Sequence, residues 1–334
     1  MDLQTLWFLL IAVLLTGYFV LEGFDFGVGM LLPFIGNDAR RTAAMKAIGP
    51  VWDGNEVWLI TAGGAIFAAF PVWYATMFSG LYLPLLLILV GLILRGVGVE
   101  WRIKVDTVAW RKKMDTLTCI GSWIPAVLWG VAFANIAAGI PLDAEGNLNS
   151  FTDGFIGLLN PFGLLGGVAF ALLFMLHGAT FLGFKTHNPL RALVHNIALK
   201  VLALPAVLVG GGLVFWLQLS HGKAWTWVLV ALIVVGLVAA IGALALSRDY
   251  WAFAGTFVAI LCTSALIFGS IFPNVLPSSL DPANSLDIYS AASGDYTLTV
   301  MSWAALLLLP PVLLVQGWTY WVFRKRIKVE GFSQ

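Results

Sequence analysis

The sequence predicts an all-α integral membrane protein, and three observations carry that prediction. Hydrophobic residues make up 60% of the 334 and charged residues only 10%, whereas a soluble domain is about 25% charged. The mean hydropathy is +0.93. Apolar stretches of about 20 residues, the length that crosses a bilayer, recur along the whole chain. So few charges cannot cover a water-facing surface, and so apolar a chain is not disordered. No stretch alternates polar and apolar residues with period two, so the spans are helices and not barrel strands.

Nine transmembrane helices are predicted, at 5–33, 51–71, 75–97, 117–140, 159–184, 191–218, 225–246, 251–272 and 297–323. The first follows Met1-Asp2-Leu3-Gln4, which has no positive n-region, and its long apolar run carries acids. It therefore reads as a retained helix and not a cleaved signal. The second and sixth hold Ala62-Gly63-Gly64-Ala65 and Gly210-Gly211-Gly212, small residues that let helices approach closely in lipid. The fourth and eighth contain Cys119 and Cys262, read as buried, reduced thiols because neither has a ligand spacing. The ninth contains Pro310-Pro311 and is expected to kink there. The longest connections between spans, 141–158 and 273–296, are too short to fold alone. Residues 1–334 thus read as one polytopic membrane domain.

The connections alternate in charge. Arg40, Arg41 and Lys46 fall in 34–50, and Arg102, Lys104, Arg111, Lys112 and Lys113 in 98–116. Lys185, Arg191, Lys200, Arg248, Arg324, Lys325, Arg326 and Lys328 continue the series at every second connection and in the tail. The intervening connections hold Asp143, Glu145, Asp153, Asp281, Asp287 and Asp295, with Lys223 their one basic residue. The positive-inside rule therefore puts the N-terminus outside and the C-terminus in the cytoplasm. Trp7, Trp73, Trp101, Trp225, Trp251 and Trp321 lie near predicted ends, as interfacial anchors do.

Ionisable residues inside membrane helices are costly and usually mark function. Glu22 and Asp25 lie three apart in the first span, and so do Asp53 and Glu56 at the start of the second. That spacing puts each pair on one helix face. Antiparallel consecutive helices tend to be neighbours, so the four carboxyls are expected to meet near the cytoplasmic side. Arg95, toward the end of the third span, is the expected charge partner. Four carboxyls in a low-dielectric place cannot all be ionised, which makes them candidates for proton transfer. The plainer alternatives are charges favoured at a helix N-terminus for Asp53 and Glu56, and a helix-fixing ion pair with Arg95 for Glu22 and Asp25. Trp52 and Trp58 flank the second pair, where they either line a path or simply pack.

No metal or nucleotide motif occurs, and nothing points to nucleic acid. A membrane haem with two histidine ligands needs facing imidazoles. Of His177, His187, His195 and His221, only His177 lies well within a span. It reads as a hydrogen-bonded packing residue, and the chain by itself is expected to bind no cofactor.

Two motifs resemble a known family. Gly17-Tyr18-Phe19-Val20-Leu21-Glu22-Gly23-Phe24-Asp25-Phe26-Gly27-Val28-Gly29 resembles the first-helix signature of subunit II of cytochrome bd quinol oxidases. Trp52-Asp53-Gly54-Asn55-Glu56-Val57-Trp58-Leu59 resembles its second-helix signature. The resemblance continues at Phe67–Pro71, Leu158–Gly167 and Phe272–Ser279, and it spans nearly the whole chain. The connection 219–224 is short where some members carry an insertion.

The resemblance implies a subunit of a bacterial respiratory oxidase in the cytoplasmic (inner) membrane, one that oxidises quinol and reduces dioxygen to water. It implies nine helices as two four-helix bundles plus one peripheral helix. It implies a partner, subunit I, holding two b-type haems and one d-type haem with the quinol-oxidising loop. Small single-helix subunits, lipid and quinone are the other expected partners. The chain itself would be a non-catalytic subunit that supports haem assembly and conducts cytoplasmic protons, generating proton motive force without pumping. The resemblance assigns Asp53 to that proton path and Trp58 to an oxygen route. The competing classes are a proton-coupled secondary transporter, which would show an inverted repeat and a midplane site, and a purely structural assembly subunit.

Overall fold

The computed structural model describes residues 2–330. Its helices are α1 (Leu3–Leu31), α2 (Asp38–Ile48), α3 (Trp52–Ala69), α4 (Pro71–Gly80), α5 (Tyr82–Trp101), α6 (Val108–Ala138) and α7 (Pro161–Lys185). They continue as α8 (Leu190–Ile197), α9 (Ala203–His221), α10 (Trp227–Ala245), α11 (Asp249–Ile271) and α12 (Asp295–Val322). The π-helical residues Ala198–Leu202 join α8 to α9, so the two form one long rod. Among the described residues, eight helices are long and apolar enough to cross a membrane. The expected span 51–71 appears as α3, but Asp53, Asn55 and Glu56 make its first turns too polar for α3 to count among the eight.

Three expected boundaries move. The stretch 75–97 is not one helix: α4 ends at Gly80, and α5 runs on to Trp101. Arg95 therefore lies within α5 and not at its end. The helix placed at 117–140 starts nine residues earlier, at Val108, because its polar first turns are held by charge. There Arg102 donates to Asp115 at 2.6 Å, and Arg41 pairs with the same carboxylate at 2.9 Å. The connection 34–50 contains α2, whose Asn37 side chain caps the backbone N–H of Arg40.

Helices α1, α6, α7 and α11 form the buried centre. Close approach is possible because glycines face each other. A Cβ on Gly27 would collide with the backbone of Phe174 on α7, and one on Gly130 with that of Gly166. Helix α5 packs on α6, α3 on α1, α9 on α7 and α10 on α11. Helix α12 stays at the periphery, with Leu298 its only buried residue. It runs unbroken through Pro310 and Pro311.

The two ends differ in character. At the acidic end a short antiparallel ribbon, β1 (Asn274–Leu276) with β2 (Leu286–Asp287), lies in the connection before α12. It joins the rest through Ile140, whose N–H donates to Pro277 at 3.0 Å. At the basic end the tail folds back: the Ile327 N–H donates to the Lys185 carbonyl at 2.8 Å, and Glu330 pairs with Lys46.

The tryptophan expectation divides. Trp101, Trp225, Trp251 and Trp321 are exposed, but Trp7 and Trp73 are buried. Trp7 is a packing residue because its indole donates to Leu298 O and Ser302 Oγ, pinning α12 to α1. Cys262 is buried, whereas Cys119 is only half-buried, and both thiols are free.

Candidate proton-transfer site

The site begins with the spacing in α1. Glu22 and Asp25, three residues apart, are both fully buried. At a rise of ~1.5 Å per residue, Asp25 lies about 9 Å from the basic end of α1. Helix α3 packs against this face along the stripe Asn55, Ala62, Ile66 and Ala69, and α5 brings Arg95 from below.

Arg95 is the hub. Its Nη1 donates to Glu22 Oε2 and its Nη2 to Glu56 Oε2. The guanidinium is itself buried, 4.7 Å over the ring of Phe26 and 5.6 Å from that of Trp52. Asp25 makes no hydrogen bond or ion pair with Arg95. Its Oδ2 accepts instead from the Asn55 amide at 2.7 Å. Two carboxyls thus share one guanidinium, with the third, Asp25, on the same face of α1 as Glu22. Glu22 Oε1, Asp25 Oδ1 and Arg95 Nε are buried without any hydrogen-bond partner, although buried polar groups are ordinarily satisfied.

Three of the four expected carboxyls therefore meet, and Arg95 joins two of them. Asp53 does not join them: it is exposed on the outer face of α3. Glu56 stands between the two situations, with 15% of its side chain exposed. Trp58 is half-buried, its ring against Gly17 and its indole donating to Gln316 Oε1 at 2.9 Å. Trp52 donates to Glu100 at 3.3 Å.

The cluster also extends to residues that the charge search passed over. Tyr320 donates its hydroxyl to Asn55 Oδ1 at 2.7 Å, and Gln316 reaches the same oxygen at 3.5 Å. Gln316 and Tyr320 are four apart and share a face of α12. Two polar residues at that spacing in so apolar a helix were the available signal.

Two of the histidines are engaged in other bonds. Both ring nitrogens of His177 are engaged, Nδ1 with Thr256 Oγ1 at 2.7 Å and Nε2 with Val20 O at 3.1 Å, and its ring stacks on Phe253. His195 is bonded to Asp249 at 2.7 Å, near the basic end of α11. Among the described residues no cluster of His, Cys, Asp and Glu could hold a metal ion.

Comparison with known proteins agrees with the two signatures. Residues 3–323 match the family model of the cytochrome bd terminal oxidase subunit II. The cytochrome bd ubiquinol oxidase subunit 2 of Bacillus subtilis is 43% identical over 331 residues, covering 98% of this chain and 97% of the relative. The cytochrome bd-I ubiquinol oxidase subunit 2 of Escherichia coli K12 is 38% identical, covering 99% and 97%. The fold is similar to a chain in the solved bd oxidase of Geobacillus thermodenitrificans, with a TM-score of 0.73 and 19% identity over 94% of this chain and 97% of that one. The chain belongs to the cytochrome bd terminal oxidase subunit II family.

Proposed function

We propose that this chain, as a subunit of a bd-type quinol oxidase in a bacterial cytoplasmic membrane, takes up protons at its basic end and holds them for dioxygen reduction in a partner subunit. One observation carries the reading. Three carboxyls surround a single guanidinium in a water-poor place, and two of their oxygens have no partner. A purely structural ion pair would match its charges and satisfy its oxygens.

The overall reaction converts two quinols and one dioxygen to two quinones and two waters. Two b-type haems and one d-type haem in subunit I supply the electron transfer and the reduction of dioxygen. This chain's residues deal with protons only. Glu22, Asp25 and Glu56 hold and pass protons, and Arg95 keeps the site from accumulating negative charge. Asp53 collects protons on the outer face of α3. Charge separation follows without pumping if quinol protons leave on the opposite side.

Basic residues gathered at one end support the orientation with that end in the cytoplasm. Helix α3 would be a ninth span, packed on α1, and with α5 and α6 these would make one group of four. Helices α7, α9, α10 and α11 make a second group of four, and α12 is peripheral. Asp53 exposed among Val57, Ile60 and Phe67 is costly against lipid. That supports placing subunit I, and not lipid, over this face; Trp58, on the side of α3 that meets α1 and α12, would lie on the oxygen route. Lipid, quinone and small single-helix subunits complete the expected assembly.

Asp53→Asn in the intact complex tests the reading. Oxygen consumption per haem should fall several-fold. Unchanged turnover with an unchanged haem spectrum would remove Asp53 from the path.

A further inference from the structure

Helix α12 presents a puzzle. Almost its whole length is apolar and exposed, and its one buried residue, Leu298, lies at the acidic end. Near the basic end, however, it sends two polar side chains inward to one atom. Tyr320 Oη donates to Asn55 Oδ1 at 2.7 Å, and Gln316 Nε2 approaches the same oxygen at 3.5 Å. Gln316 Oε1 meanwhile accepts from Trp58 Nε1 at 2.9 Å, which fixes which end of its amide faces Asn55.

Those contacts orient Asn55. With its oxygen engaged by two donors, its amide nitrogen must point the other way, where it donates to Asp25 Oδ2 at 2.7 Å. A flipped amide would set a carbonyl oxygen against the carboxylate and leave the α12 donors facing an NH2 group. An amide does not relay protons, so Tyr320–Asn55–Asp25 is no proton wire. It is a directional set of hydrogen bonds ending on one carboxyl oxygen. A donor at that oxygen favours the carboxylate form.

We infer that Tyr320 and Gln316 of α12 are positioning residues that orient Asn55 and thereby set how tightly Asp25 holds its proton. This deepens the proton-transfer reading and rests on it. The seating of a peripheral helix is then coupled to proton delivery, since moving α12 away releases Asn55. The other titratable and charged groups around Asp25 are Glu22 on its own helix, Glu56 on α3 and Arg95 on α5. Farther along α1, Tyr18 bonds to Trp129 on α6, and His177 on α7 bonds to Val20 O.

The test uses the intact complex, with oxygen consumption per haem measured against pH. Tyr320→Phe removes one hydroxyl and keeps the ring. Its haem spectrum should match wild type, and the alkaline limb of its profile should move up by about half a pH unit. Asn55→Leu should move it further, by about one unit, the size expected when a bond to a charged group is lost. Thr319→Val, which deletes a hydroxyl bonded only within α12 to Val315 O, should leave the limb in place. A Tyr320→Phe complex with normal haem and an unmoved limb overturns the inference. If that variant loses haem, Gln316→Leu takes its place, and an unmoved limb there is equally fatal. Asp25→Asn separates the two layers. If it removes the limb while Tyr320→Phe leaves it unmoved, only this inference fails. If it leaves profile and turnover as in wild type, the proton-transfer reading fails with it.

Discussion

Two charged clusters lie toward the basic end of the molecule, built in opposite proportions. Around Arg95, two carboxylates pair with one cation, a third carboxyl lies close by, and two carboxyl oxygens go unpartnered. Around Asp249, one carboxylate meets three bases. Arg191 at 2.9 Å and Arg326 at 2.5 Å bond one oxygen, and His195 at 2.7 Å the other. Asp249 is buried, but its partners reach water, and Arg326 brings the tail with it. The second cluster has every bond it needs and fastens α8, α11 and the tail together at the basic end. The first lacks bonds in a place where each missing bond is costly. Excess acid in such a place is what proton storage requires, and satisfied acid is what a fastener requires.

Substitutions should separate the two sharply. The largest effect is expected from Arg95→Met, which leaves Glu22 and Glu56 without their cation. Breaking a buried pair from one side costs about 3–5 kcal/mol, so the complex should lose its haem spectrum and melt earlier. Next comes Asp25→Asn, which is close in shape and keeps a polar contact to Asn55. It should assemble with normal haem content while turnover falls about tenfold. The smallest effect belongs to Asp249→Asn. Losing charge from three hydrogen bonds should cost about 1–3 kcal/mol, read as a lower melting temperature, with turnover per haem unchanged. If Asp249→Asn slowed turnover as Asp25→Asn does, the division between store and fastener would collapse.

Much of this was legible in the sequence because membranes make composition informative. Apolar length located the long helices, and the rarity of charge singled out Glu22, Asp25, Asp53, Glu56 and Arg95. What it hid has physical causes. The hydropathy of 75–97 carries no sign of the break after Gly80, since both α4 and α5 are apolar. The start of α6 is polar, so hydropathy placed it late, whereas its ion pairs to Arg41 and Arg102 hold it as helix. Trp7 looked like an interfacial anchor because sequence shows nearness to an end but not what packs over it. Asn55, Gln316 and Tyr320 are neutral, so a search for intramembrane charge does not weigh them. Asp53 shares the spacing of Glu56 but not its burial, because spacing fixes a face to within a turn and not which side chain the neighbour covers.

The central claim is that the Arg95 cluster takes up the protons used in dioxygen reduction. Proton uptake from the side of the basic end, followed with a pH-indicating dye after an oxygen pulse, tests it most directly. Wild-type and Asp25→Asn complexes would be compared in sealed vesicles at equal haem content. Uptake should slow about tenfold in the variant, in step with its turnover. Wild-type uptake in Asp25→Asn, with the haems intact, would contradict the account.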